Sequence, residues 1–359
     1  MEWYWILLSL LGSTLALMFI GFPVGIAFIL VNTVAAFIIY GRFGSIDANL
    51  EAGIYQLTDN AFANMSIFAI VPIPMFLLMG ELFFHTGLAN RMFNAVENLM
   101  GRAPARLSYV TVAGGTAFAT LSGSSMGSTA LLGTLMVPEM TKRGYKKSMS
   151  IGPILGTGGL AMLIPPSALA VLLGTLAEID IGRLLIGGIV PGLILATMYA
   201  LYIFLRATYD PSVAPVYEFE YISWPRRLKL FVSDVVPMIS IIVMVILLIM
   251  FGVATPSESA AYGSLGVIIL SIAYLWLVPL LRGNKEQAER FWSEFATALW
   301  KSMWGAGRVT IIALMILFGS SLFSNVLAAS GASVKLIEWV TSFDVSGYIM
   351  LLIMFGILL

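Results

Sequence analysis

Residues 107–141 constrain the fold more than any other part of the chain. Two apolar limbs flank a polar centre, Ser122-Gly123-Ser124-Ser125, and basic residues close both ends: Arg102 and Arg106 before it, Lys142, Arg143, Lys146 and Lys147 after it. Each limb is about 15 residues, roughly 22 Å as a helix at ~1.5 Å per residue. A bilayer core is about 30 Å thick, so neither limb spans it alone. Lys and Arg in short loops favour the cytoplasmic face, and a segment with positive charge at both ends should enter and leave on that face. The pattern predicts a re-entrant helical hairpin with its polar tip near mid-membrane. An irregular turn at that depth is tolerated only where protein or a water-filled cavity surrounds it, which makes the tip a candidate site.

The membrane premise rests on composition. Hydrophobic residues make up 59% of the chain and charged residues 11%, and several apolar runs approach or exceed the length of a spanning helix. The alternating strands of a membrane barrel are absent. Cysteine is absent and histidine is limited to His85, which excludes disulfides, thiolate chemistry and multi-His metal sites. Net charge is +0, and the Lys and Arg residues sit in short loops, with no block suited to nucleic acid. There is no phosphate-binding Gly-Lys loop for ATP, and no triad around His85. An intramembrane serine enzyme and a channel-like subunit stand as alternatives to a transporter.

In chain order, 4–20 and 24–40 read as spans joined by Gly21-Phe22-Pro23, with Trp3 and Trp5 as interfacial aromatics. The first run lacks a basic leader region and another apolar run follows at once, so it reads as a span and not as a cleaved signal. Residues 41–66 are polar, 67–85 span again, and 88–100 read as an interfacial helix. After the hairpin, 151–176 is apolar but interrupted by Gly156, Gly158 and Gly159, which are expected to loosen the helix, and then by Pro165-Pro166. Residues 184–205 span, and 206–229 form the longest polar connection, containing Glu218 and Glu220. Runs 235–251 and 259–281 span, 285–304 is amphipathic, 309–329 spans, 331–342 is a second interfacial segment and 348–359 is apolar. With the amino terminus outside, all but Arg42, Arg183 and Lys335 of the 19 Lys and Arg residues fall on the inner side. That asymmetry vanishes if 107–141 crosses as one helix, so the charge distribution supports re-entry independently of limb length.

A weak internal repeat is visible. Gly21-Phe22-Pro23 before an apolar run parallels Ala254-Thr255-Pro256 before another, and 67–87 parallels 311–331. The two copies run in opposite directions through the membrane, the inverted plan of secondary transporters. Counted from Gly331 as Ser122 is counted from Gly87, the second hairpin's tip is expected beyond Leu359, as is its partner broken helix.

Two features carry chemistry. The tip places hydroxyls of Ser122, Ser124 and Ser125, with Ser128 and Thr129, beside the small Gly123; such hard oxygens suit an alkali ion or a polar substrate. The plain reading is that small residues let helices approach. The second feature is Ile164-Pro165-Pro166-Ser167. Two prolines remove two N–H donors and release the carbonyls near Ala161 and Met162. Those carbonyls are free to coordinate Na⁺, while the helix restarting at Ser167 turns its positive end toward an anion. A simple proline kink is the plain alternative. Glu81 lies either within a span, where an acid is a functional candidate, or at its end near the interfacial His85. Glu139, Asp234 and Glu258 read as caps or anchors, and Thr255 or Ser257 as a helix cap.

These residues together resemble a known family. Pro72-x-Pro74-x-Phe76-x-x-Met79-Gly80, the Ser122–Ser125 tip, Pro138-Glu139-Met140 with Gly144-Tyr145, Ile164-Pro165-Pro166-Ser167, Pro191-Gly192 and Pro256-Ser257-Glu258-Ser259-Ala260-Ala261 occur in that order. In order and spacing they are similar to the large membrane subunit of tripartite ATP-independent periplasmic (TRAP) transporters, here without its carboxyl-terminal part. The resemblance implies an all-α polytopic membrane protein with inverted repeats, a re-entrant hairpin and a broken helix, of elevator-type ion-transporter architecture. It implies Na⁺-coupled uptake of an organic acid, a periplasmic substrate-binding protein and a small four-helix membrane subunit as partners, and the bacterial inner membrane as location. Another Na⁺- or H⁺-coupled anion transporter is the nearest alternative. The expected organisation is scaffold spans and an outer loop at 1–66, a first transport region at 67–206, a linker at 207–234, scaffold spans at 235–284 and an incomplete second repeat at 285–359. In the transport region the resemblance carries over Ser122, Gly123, Ser124, Ser125, Pro165, Pro166 and Ser167 as a first half-site; with the released carbonyls, substrate is expected at Ser122, Gly123, Ser124, Ser125, Pro166 and Ser167, and a Na⁺ near Ser122, Ser124, Ser125, Ala161, Met162 and Pro165.

Overall fold

The computed structural model describes residues 2–40, 51, 53–55, 57–59, 62, 70–100, 103–122, 125–215, 223–281, 283–342 and 346–358. Gly123 and Ser124 of the tip, the basic residues Arg42, Arg102 and Arg282, the linker acids Glu218 and Glu220 and the start of the 67–85 span lie outside the described residues. The regular elements of the described residues are all helices, without a strand. Among the described residues, five helices are long and apolar enough to cross a membrane, or up to seven if each of two bent pairs counts as one span. The protein is an all-α polytopic membrane protein.

The chain divides into two compact units, 1–67 with 312–359, and 68–311. In the first unit, α1 (Trp3–Ile20) ends at Gly21, whose φ of 105° lets its N–H turn back to Leu17 and Met18. Helix α2 (Val24–Tyr40) follows and packs on α1. At Gly25 an added Cβ would lie 2.9 Å from Met315 Cβ, and at Gly319 one would lie 2.7 Å from Phe28 Cβ, so two glycines set a close crossing of α2 with the helix that carries Met315 and Gly319. The buried Asn32 side chain donates to the carbonyls of Phe28 (2.7 Å) and Gly319 (3.4 Å) across it.

The second unit is arranged around α3 (Pro72–His85), which buries Ile73, Phe76, Leu77, Met79, Leu82 and Phe83. Gly87, at φ 77°, turns the chain by 68° into α4 (Leu88–Met100). Then come α5 (Arg106–Ser122), α6 (Ser125–Lys142), α7 (Lys147–Leu163) and α8 (Ala168–Leu176), the last two bent by 48°. Helix α9 (Ile181–Tyr209) leads into a short turn at Pro211–Val213. Helices α10 (Trp224–Met250) and α11 (Pro256–Leu281) follow, each with one π turn, Phe231–Val235 and Ala273–Leu277. Thr255 caps α11 through a capping box with Glu258. Helix α11 lays small residues, Ser257, Ser259, Ala260, Gly263 and Ser264, against α3, and the Ser264 hydroxyl donates to the Met75 carbonyl at 3.0 Å.

Two expectations change. The amphipathic segment 285–304 and the span 309–329 form one helix, α12 (Lys285–Ala329). Gly305 and Gly307 do not break it, because a glycine costs a helix interior only about 1 kcal/mol and no proline intervenes. Likewise α7 runs unbroken through Gly156, Gly158 and Gly159. These glycines do not loosen the helix, and two of them seat neighbours. At Gly156 an added Cβ would meet the Tyr199 ring at 3.0 Å, and at Gly158 it would collide with Thr129 Oγ1. Helices α13 (Ala332–Thr341) and α14 (Gly347–Leu358) complete the first unit; Trp339 of α13 approaches Trp3, ring centroids 5.9 Å apart.

Candidate functional site

The 107–141 stretch folds back on itself. Helix α5 closes at Ser122 and α6 opens at Ser125, and both limbs pack against α7. Its two ends meet at one carboxylate. Arg106, buried at the start of α5, lies 3.3 Å from Glu97 Oε1 and donates from Nε to the Glu97 carbonyl at 3.0 Å. Arg143, just past α6, lies 3.2 Å from the same Glu97 oxygen and also pairs with Glu139. The Ser108 hydroxyl donates to the Met149 carbonyl at 2.7 Å, and the Leu107 N–H donates to the Tyr145 hydroxyl at 3.4 Å. Entry and exit therefore lie side by side, as re-entry requires.

Most hydroxyls along the limbs are turned inward on their own helix. Thr111, Thr116 and Thr120 each donate to the carbonyl four residues back, at 2.8, 2.5 and 2.7 Å. Near the tip the arrangement changes. The Ser128 hydroxyl donates to the Ser125 carbonyl at 3.0 Å. Ser125 and Thr129 face α7 at Gly158, where an added Cβ would stand 3.5 Å from both Ser125 O and Ser125 Oγ. Gly115 of α5 is seated similarly: its Cβ would meet Leu132 Cδ1 at 3.0 Å and Thr157 Oγ1 at 3.1 Å. Three backbones thus converge where the hairpin meets α7.

One turn beyond Gly158, on the same face of α7, is Ala161, which is buried. Pro165 and Pro166 offer no N–H to the carbonyls of Ala161 and Met162, and α7 stops at Leu163. The Met162 side chain points outward, 47% exposed. The peptide bond between Pro165 and Pro166 is cis. At Gly188 of α9 an added Cβ would collide with the Leu163 carbonyl oxygen, so this glycine lets α9 lie directly on the break.

Ser167 is fully buried and caps α8: its hydroxyl oxygen accepts from the Ala170 N–H at 3.2 Å. The break therefore brings together the negative end of α7 and the positive end of α8. The oxygens here are hydroxyls and carbonyls, the hard donors an alkali cation takes, and the free N–H groups of α8 suit a carboxylate.

Of the residues singled out from sequence, the structure joins Ser125 to α7 and places Ala161, Met162, Pro165, Pro166 and Ser167 in one break on that helix. Ser122 closes α5. What sequence reasoning missed is the pairing of Thr129 with Gly158. The small run Gly156-Thr157-Gly158-Gly159 was its signal, since small residues in an apolar helix mark where another backbone comes close.

Comparison with known proteins now adds a family. The model described as "Tripartite ATP-independent periplasmic transporter, DctM component" matches residues 11–359. The C4-dicarboxylate TRAP transporter large permease protein DctM of Pseudomonas aeruginosa is 28% identical over 310 residues, covering 85% of this chain and 67% of that protein. The ectoine TRAP transporter large permease protein TeaC of Halomonas elongata is 30% identical over 198 residues, 55% of this chain and 44% of its own length. The isethionate TRAP transporter permease protein DctMQ of Oleidesulfovibrio alaskensis is 36% identical over 134 residues, 37% of this chain and 21% of its own length. The Halomonas and Oleidesulfovibrio matches span less than half of each relative.

Proposed function

The chain belongs to the DctM-component family of tripartite ATP-independent periplasmic transporters, permeases and not enzymes, and on that premise we propose that it is the large membrane subunit of a Na⁺-coupled importer of a small organic acid. The relatives named for C4-dicarboxylates, ectoine and isethionate support the substrate class. A periplasmic binding protein delivers the substrate, and a small membrane subunit braces the permease in the inner membrane. The amino terminus faces the periplasm, in keeping with the Lys and Arg asymmetry.

The observation that carries this reading is the seating of the hairpin at Gly158 on α7, the helix that ends at the Pro165-Pro166 break. Ser125, with Ser122 and Ser124 of the tip, supplies hydroxyls toward Na⁺; Ala161, Met162 and Pro165 supply carbonyls. Pro166, Ser167 and the start of α8, together with Gly123, receive the substrate's carboxylate. Hairpin and broken helix move together as the transport domain of residues 67–206, while 1–66 and 235–284 form the scaffold, 207–234 the linker and 285–359 part of the second repeat. Movement of that domain across the membrane is an elevator step, and Na⁺ binding favours the substrate-loaded form by differential affinity.

The test is uptake of a labelled C4-dicarboxylate, ectoine or isethionate by vesicles holding the chain with its binding protein and small subunit. An inward Na⁺ gradient should drive accumulation of one of them, and Ser125→Ala should raise the Na⁺ concentration needed. Equal accumulation with K⁺ in place of Na⁺ would overturn the coupling.

A further inference from the structure

The hairpin site does not use Glu81, the acid that α3 carries. Glu81 lies on the wall of a cavity of about 220 Å³ lined also by Phe84, Phe118, Gly127, Ala130 and Thr134, so it borders both limbs of the hairpin. Its carboxylate is seated on a backbone: an added Cβ at Gly305 of α12 would stand 2.8 Å from Glu81 Cδ and Oε2 and 3.1 Å from Oε1. Its partner is His85, one turn on, with Nε2 3.2 Å from Oε2 and both side chains only about a quarter exposed, 28% and 25%. On its far side His85 lines a second cavity of about 110 Å³, with Thr86, Leu275, Phe291, Phe295 and Glu294. Glu294 is exposed on the amphipathic part of α12.

The Glu81–His85 pair thus stands between a cavity against the hairpin and a cavity open toward an exposed acid. We propose that Glu81 is a proton-binding site and that His85 relays its proton to Glu294 at the cytoplasmic surface. A proton leaves the Glu81 carboxyl for His85 Nε2, the imidazole releases one from Nδ1 into the second cavity, and the Glu294 carboxylate accepts it. Each transfer conserves one proton and needs no other reactant. Imidazole is suited to the middle position because it accepts at one nitrogen and donates at the other, and ionisable side chains inside a membrane commonly serve such relays.

The groups facing the pair are few. On α12, Lys301 is close enough to act electrostatically on His85, and Glu294 completes the path. The hairpin limbs present Phe118 and the Thr134 hydroxyl to the cavity, and α11 presents Leu275. Helix α8 carries no titratable residue. On α4, Arg91 is tied to Asp234, and Glu97 to Arg106 and Arg143.

Infrared pH titration of the full chain in lipid vesicles tests this, and its readout is independent of Na⁺ coupling. Of the carbonyl stretch that the 19 Asp and Glu residues develop as pH falls, one component should belong to Glu81: a band missing in Glu81→Gln and present in Glu289→Gln, whose acid is exposed. In His85→Gln it should remain but titrate at a different pH. Should Glu81→Gln fail to fold, Glu81→Asp decides, with the band expected at a shifted pH and frequency. An unchanged band in either Glu81 variant, or no titrating band in the unsubstituted chain, would overturn the assignment.

Discussion

Replacing Gly158 by Ala probes the contact on which the hairpin site depends. The new Cβ would collide with Thr129 Oγ1, while the Ser125 carbonyl at 3.5 Å leaves ordinary room. Two effects oppose each other. Ala in place of Gly favours a helix interior by about 0.5–1 kcal/mol. Overpacking a close contact costs about 1–3 kcal/mol, or about 0.5–1.5 kcal/mol if Thr129 escapes by leaving its rotamer. Gly159 is the internal reference, since a Cβ there meets nothing within 4 Å. The propensity gain is common to both positions and cancels in their comparison. Gly158→Ala should therefore be less stable than Gly159→Ala by about 0.5–3 kcal/mol. The assay is graded unfolding of the purified chain by a denaturing detergent, followed by circular dichroism. Adding Thr129→Ala removes the colliding hydroxyl and should recover most of the loss, a coupling of about 0.5–3 kcal/mol for residues in contact. Equal stability of the two Gly→Ala variants, or no recovery in the double variant, would refute the contact.

Other consequences can be checked in the same assay. Ser167→Ala removes the cap of α8 and should cost about 0.5–2 kcal/mol; Ser167→Asn, which can still cap, should cost less. Asp234 is 10% exposed and pairs with Arg91 at 3.0 Å, while the Arg91 side chain, 38% exposed, also lies 5.0 Å over the Tyr274 ring. Asp234→Asn should destabilise, but by less than the about 3–5 kcal/mol of a fully buried pair, because Arg91 can turn to water. At the start of the linker the Ser212 hydroxyl donates to Asp210 at 2.6 Å, and that hydrogen bond, with the Ser212 N–H and Lys146, holds the Asp210 carboxyl below its usual range. A lowered folded pKa means that the tie is present at neutral pH and is lost as pH falls through the folded value; proteolysis of the linker by an acid-active protease should quicken over that interval and do so earlier in Lys146→Ala.

Much of this fold was legible because the membrane restricts the choices. Limb length, the basic residues at both ends of 107–141 and the Pro165-Pro166 break predicted a hairpin and a bent pair, and both are present. Thr-Pro-Ser-Glu pointed to a cap at Thr255 or Ser257, and the structure places it at Thr255. What remained hidden depends on contacts far apart in sequence. Glu97 sits in what reads as an interfacial helix, and nothing local shows that it gathers Arg106 and Arg143. Gly305 and Glu81 are similarly distant, so a carboxylate resting on a glycine backbone could not be anticipated. The glycines of α7 misled for the same reason: seen alone they suggest looseness, but their neighbours make them seats. Continuity of α12 was missed because a change from amphipathic to apolar periodicity looks like a boundary, although the backbone is indifferent to it.

The central claim is that 107–141 re-enters and does not cross. A chain without cysteine permits a direct measurement: single cysteines introduced at Ala103, Lys142 and Glu2, labelled with a membrane-impermeant maleimide in oriented vesicles. Re-entry predicts that Ala103→Cys and Lys142→Cys react only from the cytoplasmic face and Glu2→Cys only from the opposite one. Reaction of the Ala103 and Lys142 positions from opposite faces would contradict it.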